Sequence, residues 1–126
     1  MRARNTPVTL DLPSTFLMDT TGQIFNDAEN HSRIWIIKGG HDLEMARNHL
    51  PPGSKKIAIS GLNEAYFLEI ESVTTESGSK NLVGNLLGFA KTELWIVQIE
   101  IPLDSSKEAI RKSNELLRKV SFVEQK

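Results

Sequence analysis

The sequence predicts one α+β domain, in which a single layer of mixed or antiparallel sheet packs with two or three helices. Three observations carry this expectation. Ile34-Trp35-Ile36-Ile37 is a continuous apolar run with three β-branched residues, the pattern of a strand covered on both faces. Leu94 to Ile101 alternates, with Trp95, Val97, Ile99 and Ile101 on one side and Gln98 and Glu100 on the other. Ala109, Ile110, Leu116, Leu117 and Val120 recur at helical spacing after Pro102 and a run of capping residues.

Composition sets the outer limits. A chain of 126 residues with 39% hydrophobic and 25% charged residues is sized and balanced for one globular core. A formal net charge of -1 gives no global attraction to nucleic acid or to an anionic membrane. Without cysteine there is no disulfide, no thiolate nucleophile and no cysteine-bound zinc. No apolar run approaches the roughly 20 residues of a membrane helix, and no signal-peptide core is evident, so the expected compartment is the cytoplasm.

In chain order, residues 1–7 hold two arginines and no apolar period and read as a flexible N-terminal tail, with the domain at 8–126. Val8, Leu10 and Leu12 alternate with polar residues in a short strand stopped by Pro13. Phe16-Leu17-Met18 and Gln23-Ile24-Phe25 flank Asp19-Thr20-Thr21-Gly22, a hairpin whose Gly22 can take positive φ. Asn26 to Ser32 is a polar connection. The stretch Arg33 to Ser60 reads as a βαβ unit: the central strand, Gly39-Gly40, a helix with Leu43, Met45, Ala46 and Leu50 on its apolar side, Pro51-Pro52-Gly53, and a second strand through Ile57 and Ile59. That second strand lies parallel to the first or at the sheet edge. Trp35 and Ile37 are expected in the core.

Beyond Gly61, Tyr66, Leu68 and Ile70 alternate with Phe67, Glu69 and Glu71 in a strand with one wet face. Thr74 to Lys80 reads as a mobile loop. Leu82, Val83, Leu86, Leu87 and Ala90 sit at helical spacing, interrupted by Gly84 and Gly88 at about 1 kcal/mol each; a long hairpin arm paired with the next strand is the alternative. The element order resembles a ferredoxin-like split βαβ arrangement with an N-terminal hairpin and a C-terminal helix added.

Candidate chemistry is sparse. Gly39-Gly40-His41-Asp42 opens a helix and exposes N–H groups to an anion, yet Asp42 and Glu44 place negative charge in the first turn, and no phosphate-loop pattern accompanies them. His41 and His49 stand eight residues apart, the wrong spacing for a two-histidine metal motif, so no metal and no cofactor is expected. Glu69 and Glu71 share one strand face, where two carboxylates can converge on a ligand or simply meet solvent. Lys107, Arg111, Lys112, Arg118 and Lys119 make a basic surface on the C-terminal helix, diluted by Glu108 and Glu115, without the aromatic series of a single-strand binder.

Two functions follow. The first is a non-enzymatic protein-interaction module, acting through a sheet or helix surface and expected as a homodimer because the long Leu94 to Ile101 strand needs an edge partner. The second is a small enzyme or ligand-binding domain, with a site between the Gly39 to Asp42 turn and the Glu69 and Glu71 strand face.

Overall fold

The computed structural model describes residues 2–73, 80–103 and 106–123. Along them run β1 (Val8–Leu10), β2 (Phe16–Met18), β3 (Ile24–Asp27), β4 (Ser32–Gly40), α1 (Leu43–Asn48), β5 (Lys55–Lys56), β6 (Glu64–Val73), β7 (Lys80–Phe89), β8 (Leu94–Pro102), α2 (Ser106–Leu117) and β9 (Val120–Phe122). Seven strands pair in the order β2-β3-β4-β8-β7-β6-β5, every pair antiparallel, and β1 and β9 form a separate two-stranded ribbon. The architecture is therefore mostly β with two helices. This corrects the expected α+β, ferredoxin-like arrangement.

Two local causes produce the correction. The Leu82 to Ala90 region is strand β7, buried on both faces between β6 and β8, so the hairpin-arm alternative is the one that forms. Its glycines are there for close packing. A Cβ at Gly84 would meet the Phe67 ring at 2.6 Å, and one at Gly88 would meet the Phe122 ring at 2.7 Å. The second cause is the length of α1. Six residues span only about 9 Å, too short a crossover to return the chain beside β4 in parallel. The chain instead reaches the far edge of the sheet, where Lys55 and Lys56 pair with Phe67 and Tyr66 and the next residues leave the sheet.

β8 is the middle strand, and β4 lies beside it with alternating rather than double burial. Ile34 and Ile36 are enclosed, while Trp35 is 40% exposed and Ile37 half-buried, which corrects the expected burial of Trp35 and Ile37. The register explains it, because Ile34 opposes Ile99 and Ile36 opposes Val97 on the core face, whereas Trp35 opposes Gln98 on the other. On β6 the faces are also exchanged: Ala65 and Phe67 enter the main core and Ile70 is exposed.

One sheet face carries the main core. There α2 and the β1–β9 ribbon bury Val8, Leu10, Ala109 and Phe122 against Phe25, Ile34, Leu86, Val97 and Ile99. The ribbon also organises the N-terminal residues. Ala3 and Thr6 are buried, the Ala3 N–H donates to the Val8 carbonyl at 3.0 Å, and the Val123 N–H donates to the Pro7 carbonyl at 2.8 Å. The turn before β1 satisfies its own polar groups: the Thr6 hydroxyl donates to the Ala3 carbonyl and accepts from the Val8 N–H. The expected Thr74 to Lys80 loop lies, for residues 74–79, outside the described residues.

Among the described residues the opposite face is covered only at one end, where Leu43 and Ala46 of α1 and Leu50 just beyond it pack on Leu87, Phe89 and Leu94. Asp42 caps this helix, its carboxylate accepting from the Met45 N–H at 3.0 Å.

Candidate functional site

A cavity forms where four segments meet at the α1 end of the sheet. It measures about 610 Å³ and is lined by the apolar Leu43, Leu62, Phe89 and Phe122 together with the polar Arg47, Asn63, Glu64 and Lys91. Gly61 brings the far wall close: it has φ +90, and a Cβ there would stand 1.8 Å from the Phe122 carbonyl oxygen. β9 is held across this turn by the Phe122 N–H donating to the Ser60 carbonyl at 2.8 Å.

Arg47, in the last turn of α1, is fixed from two sides. Its Nε donates to Glu64 Oε1 at 2.6 Å, and its guanidinium lies over the Phe89 ring at 5.1 Å from the centroid. Glu64 Oε2 accepts from the Tyr66 hydroxyl at 2.8 Å. Burial pushes the Glu64 carboxyl up, but the hydrogen bonds from Arg47 and Tyr66 together with the nearby positive charge of Arg47 and Lys56 hold it below the ordinary value. The same carboxylate raises the Tyr66 phenol. Glu64 is therefore an ionised, occupied acceptor. Among the described residues, no acceptor engages the terminal nitrogens of Arg47.

The sequence-predicted residues are placed apart. Gly39, Gly40, His41 and Asp42 line a second groove of about 450 Å³ on the other flank of α1, together with Met45, Ala46 and His49. Both histidines thus reach one groove; His49 Nδ1 lies 2.9 Å from the Met45 carbonyl oxygen. Glu69 and Glu71 are not near it. They sit on β6, separated from β4 by β8 and β7, and they share the sheet face of Phe67, opposite the face that α1 covers. The joint site expected between the turn and these acids does not form. Glu69 Oε2 is buried without a hydrogen-bond partner. On the described chain β5 pairs only with Tyr66 and Phe67, so the outer edge of β6 at Glu69 and Glu71 is open, and charged side chains there discourage a stray strand from adding.

The basic surface is likewise dispersed. Arg111 binds Glu108 and Glu115 on its own helix, and its guanidinium is pushed up by the hydrogen bond and charge of Glu108. Lys107 and Lys112 lie on α2, whereas Arg118 and Lys119 lie beyond its end, in the turn to β9. Among the described residues no three His, Asp or Glu side chains converge to hold a metal ion. No helix of the described residues is long and apolar enough to cross a membrane.

Sequence reasoning missed the Arg47–Glu64–Tyr66 chain. Glu64 and Tyr66 are two apart on β6 and share its face, but no spacing rule links Arg47 on α1 to them. It also missed the uncovered sheet face, whose two central rows follow from the register: Ile24, Trp35, Gln98, Asn85 and Leu68 in one, Asn26, Arg33, Glu100, Val83 and Ile70 in the next. Arg33 donates to Glu100 at 2.8 Å and lies 5.8 Å from the Trp35 ring centroid, while Asn81 donates to the second Glu100 oxygen at 3.1 Å. Leu17, opposite Asn26, is 72% exposed, and Ile70 is 47% exposed.

No protein-family model and no curated protein matches the chain. Solved structures share its fold. A protein from Bacteroides thetaiotaomicron VPI-5482 superposes with a TM-score of 0.58 at 13% identity, over 94% of this chain and 46% of its own. LpqN, involved in cell envelope biogenesis of Mycobacterium tuberculosis, superposes with a TM-score of 0.54 at 13% identity, over 92% of this chain and 83% of its own. The chain thus spans about half the length of the first of these proteins. At this identity the likeness is one of fold.

Proposed function

We propose that the chain is a non-enzymatic protein-interaction module that docks through the uncovered part of its sheet face, its partner being a second copy of itself. The observation that carries the reading is Trp35: a tryptophan 40% exposed near the middle of an interior strand, with Arg33 over its ring, is the kind of anchor that interfaces concentrate. Leu17 and Ile70 extend the apolar surface toward the two sides of the sheet.

Self-pairing is favoured by the polar groups on the same face. Arg33 and Glu100 are adjacent and of opposite charge, and Gln98 and Asn85 are amides that both donate and accept. A two-fold interface needs a patch complementary to itself, and these four residues provide one. The docking does not use the edge of β8, because β8 is paired on both sides; this corrects the reason for which a homodimer was expected from the sequence.

Sedimentation equilibrium over a wide concentration range tests the proposal. The parent should shift from monomer to dimer, and Trp35→Asp should remain monomeric with unchanged circular dichroism. A parent that stays monomeric at millimolar concentration, or a Trp35→Asp variant that dimerises as well as the parent, overturns it.

A further inference from the structure

We propose that the 610 Å³ cleft beside α1 is a binding site for an organic carboxylate with an apolar body, such as a fatty or aromatic acid, with Arg47 as the anion receptor. The site is independent of the uncovered sheet patch around Trp35.

Arg47 and Lys91 both line the cleft, and Glu64, the only carboxylate among its described lining residues, is already accepting from Arg47 Nε and the Tyr66 hydroxyl. Among the described lining residues one positive charge is left over. It is also oriented: Glu64 holds the guanidinium through Nε, and Phe89 supports its plane, so the two terminal nitrogens remain for a planar partner. An arginine with its inner edge taken by a carboxylate and its plane stacked on a ring presents its outer fork with little further loss of rotamer freedom. The Arg47 side chain is 45% exposed, so an incoming anion can reach it.

The apolar lining gives the second half of the ligand. Leu43 and Leu62, half-buried, and the nearly enclosed Phe89 and Phe122 rings come from α1, the turn after Gly61, β7 and β9, and they supply an apolar patch within a lining that is otherwise polar. A volume of 610 Å³ lies within the roughly 300–1,000 Å³ that small-molecule sites occupy. A strongly hydrated inorganic anion would leave this patch uncovered, and a neutral hydrocarbon would leave Arg47 unsatisfied. A carboxylate carrying a short chain or ring fulfils both.

The test is a titration of the full chain, followed by two-dimensional 15N NMR, with sodium octanoate, octan-1-ol and octylammonium chloride as probes. Octanoate should shift the amides of residues 61–64 and 89–91 saturably, octan-1-ol should bind about tenfold more weakly, and octylammonium more weakly still. Arg47→Gln should weaken octanoate by about tenfold while leaving octan-1-ol unchanged, and Lys91→Gln should weaken octanoate by about threefold through charge alone. Equal binding of octanoate and octan-1-ol, an unaffected Arg47→Gln variant, or shifts confined to the Trp35 face would each overturn the proposal. Sedimentation of Trp35→Asp reads the dimer separately, so either proposal can fail without the other.

Discussion

Gly84 and Phe67 meet across the β6–β7 pair so closely that a single methyl group at residue 84 would fall 2.6 Å from the Phe67 ring. The ring fills the space that the missing side chain leaves, and the Ser113 hydroxyl of α2 stands 3.1 Å from the same point. One glycine therefore seats an aromatic ring and lets a helix approach the sheet.

Gly84→Val should accordingly destabilise the protein, by about 1–3 kcal/mol from overpacking, although valine has the higher strand propensity. Thermal or urea unfolding measures it. A variant as stable as the parent would mean that Phe67 is free to move and that the contact does not constrain the core.

Ile36 and Trp35 are neighbours in sequence on opposite faces of β4, so the same substitution should separate them. Ile36→Asp places a charge where the side chain is 1% exposed and should unfold the protein. Trp35→Asp should keep the fold. Circular dichroism of the two variants is the check, and folded Ile36→Asp protein would refute the register between β4 and β8.

Asp27 gives a pH dependence of known sign. Its carboxylate is buried and accepts from the Thr15 hydroxyl at 2.8 Å, the Asn30 side-chain amide at 2.8 Å and the Asn30 backbone N–H at 3.2 Å. Burial raises its pKa, but the hydrogen bonds from Asn30 and Thr15 outweigh burial and bring the value below normal. The unfolded chain then binds this proton more readily than the folded one. Its stabilising contribution is present above the unfolded value of about 3.9 and is lost as pH falls through the folded value. Asp27→Asn should be less stable than the parent at neutral pH by about 1–3 kcal/mol, and the gap should narrow between about pH 5 and pH 2 in urea titrations. Glu64, also depressed, adds a slope of the same sign to both proteins. A gap that does not change with pH would remove Asp27 as the cause.

The sequence by itself determined the strands with a clear period of two and the turns with special residues. The 95, 97, 99, 101 alternation of β8 reads directly as a core face, and Asp42 reads directly as the cap of α1. Gly22, at φ 75 in the β2–β3 hairpin, was equally legible. These signals are local, set by backbone sterics and by residues within a few positions of each other.

What only the tertiary structure decided is which element lies beside which. The helical spacing of Leu82 to Ala90 yields to strand pairing because β6 and β8 flank the segment and Gly84 and Gly88 admit the Phe67 and Phe122 rings, contacts between residues 17 and 34 positions apart. The ribbon of β1 and β9 joins residues more than a hundred positions apart, so although the alternation of Val8, Leu10 and Leu12 marks β1, nothing local identifies its partner strand. The same holds for the candidate sites. Glu69 and Glu71 were visible as a pair and are separated from the Gly39 to Asp42 turn by two strands and by the sheet itself, while Arg47 shared no pattern with Glu64 and Tyr66 and is joined to them by hydrogen bonds through Glu64. A binding site is assembled by strand order and helix length, and here the six residues of α1 set both by sending the chain to the far edge of the sheet.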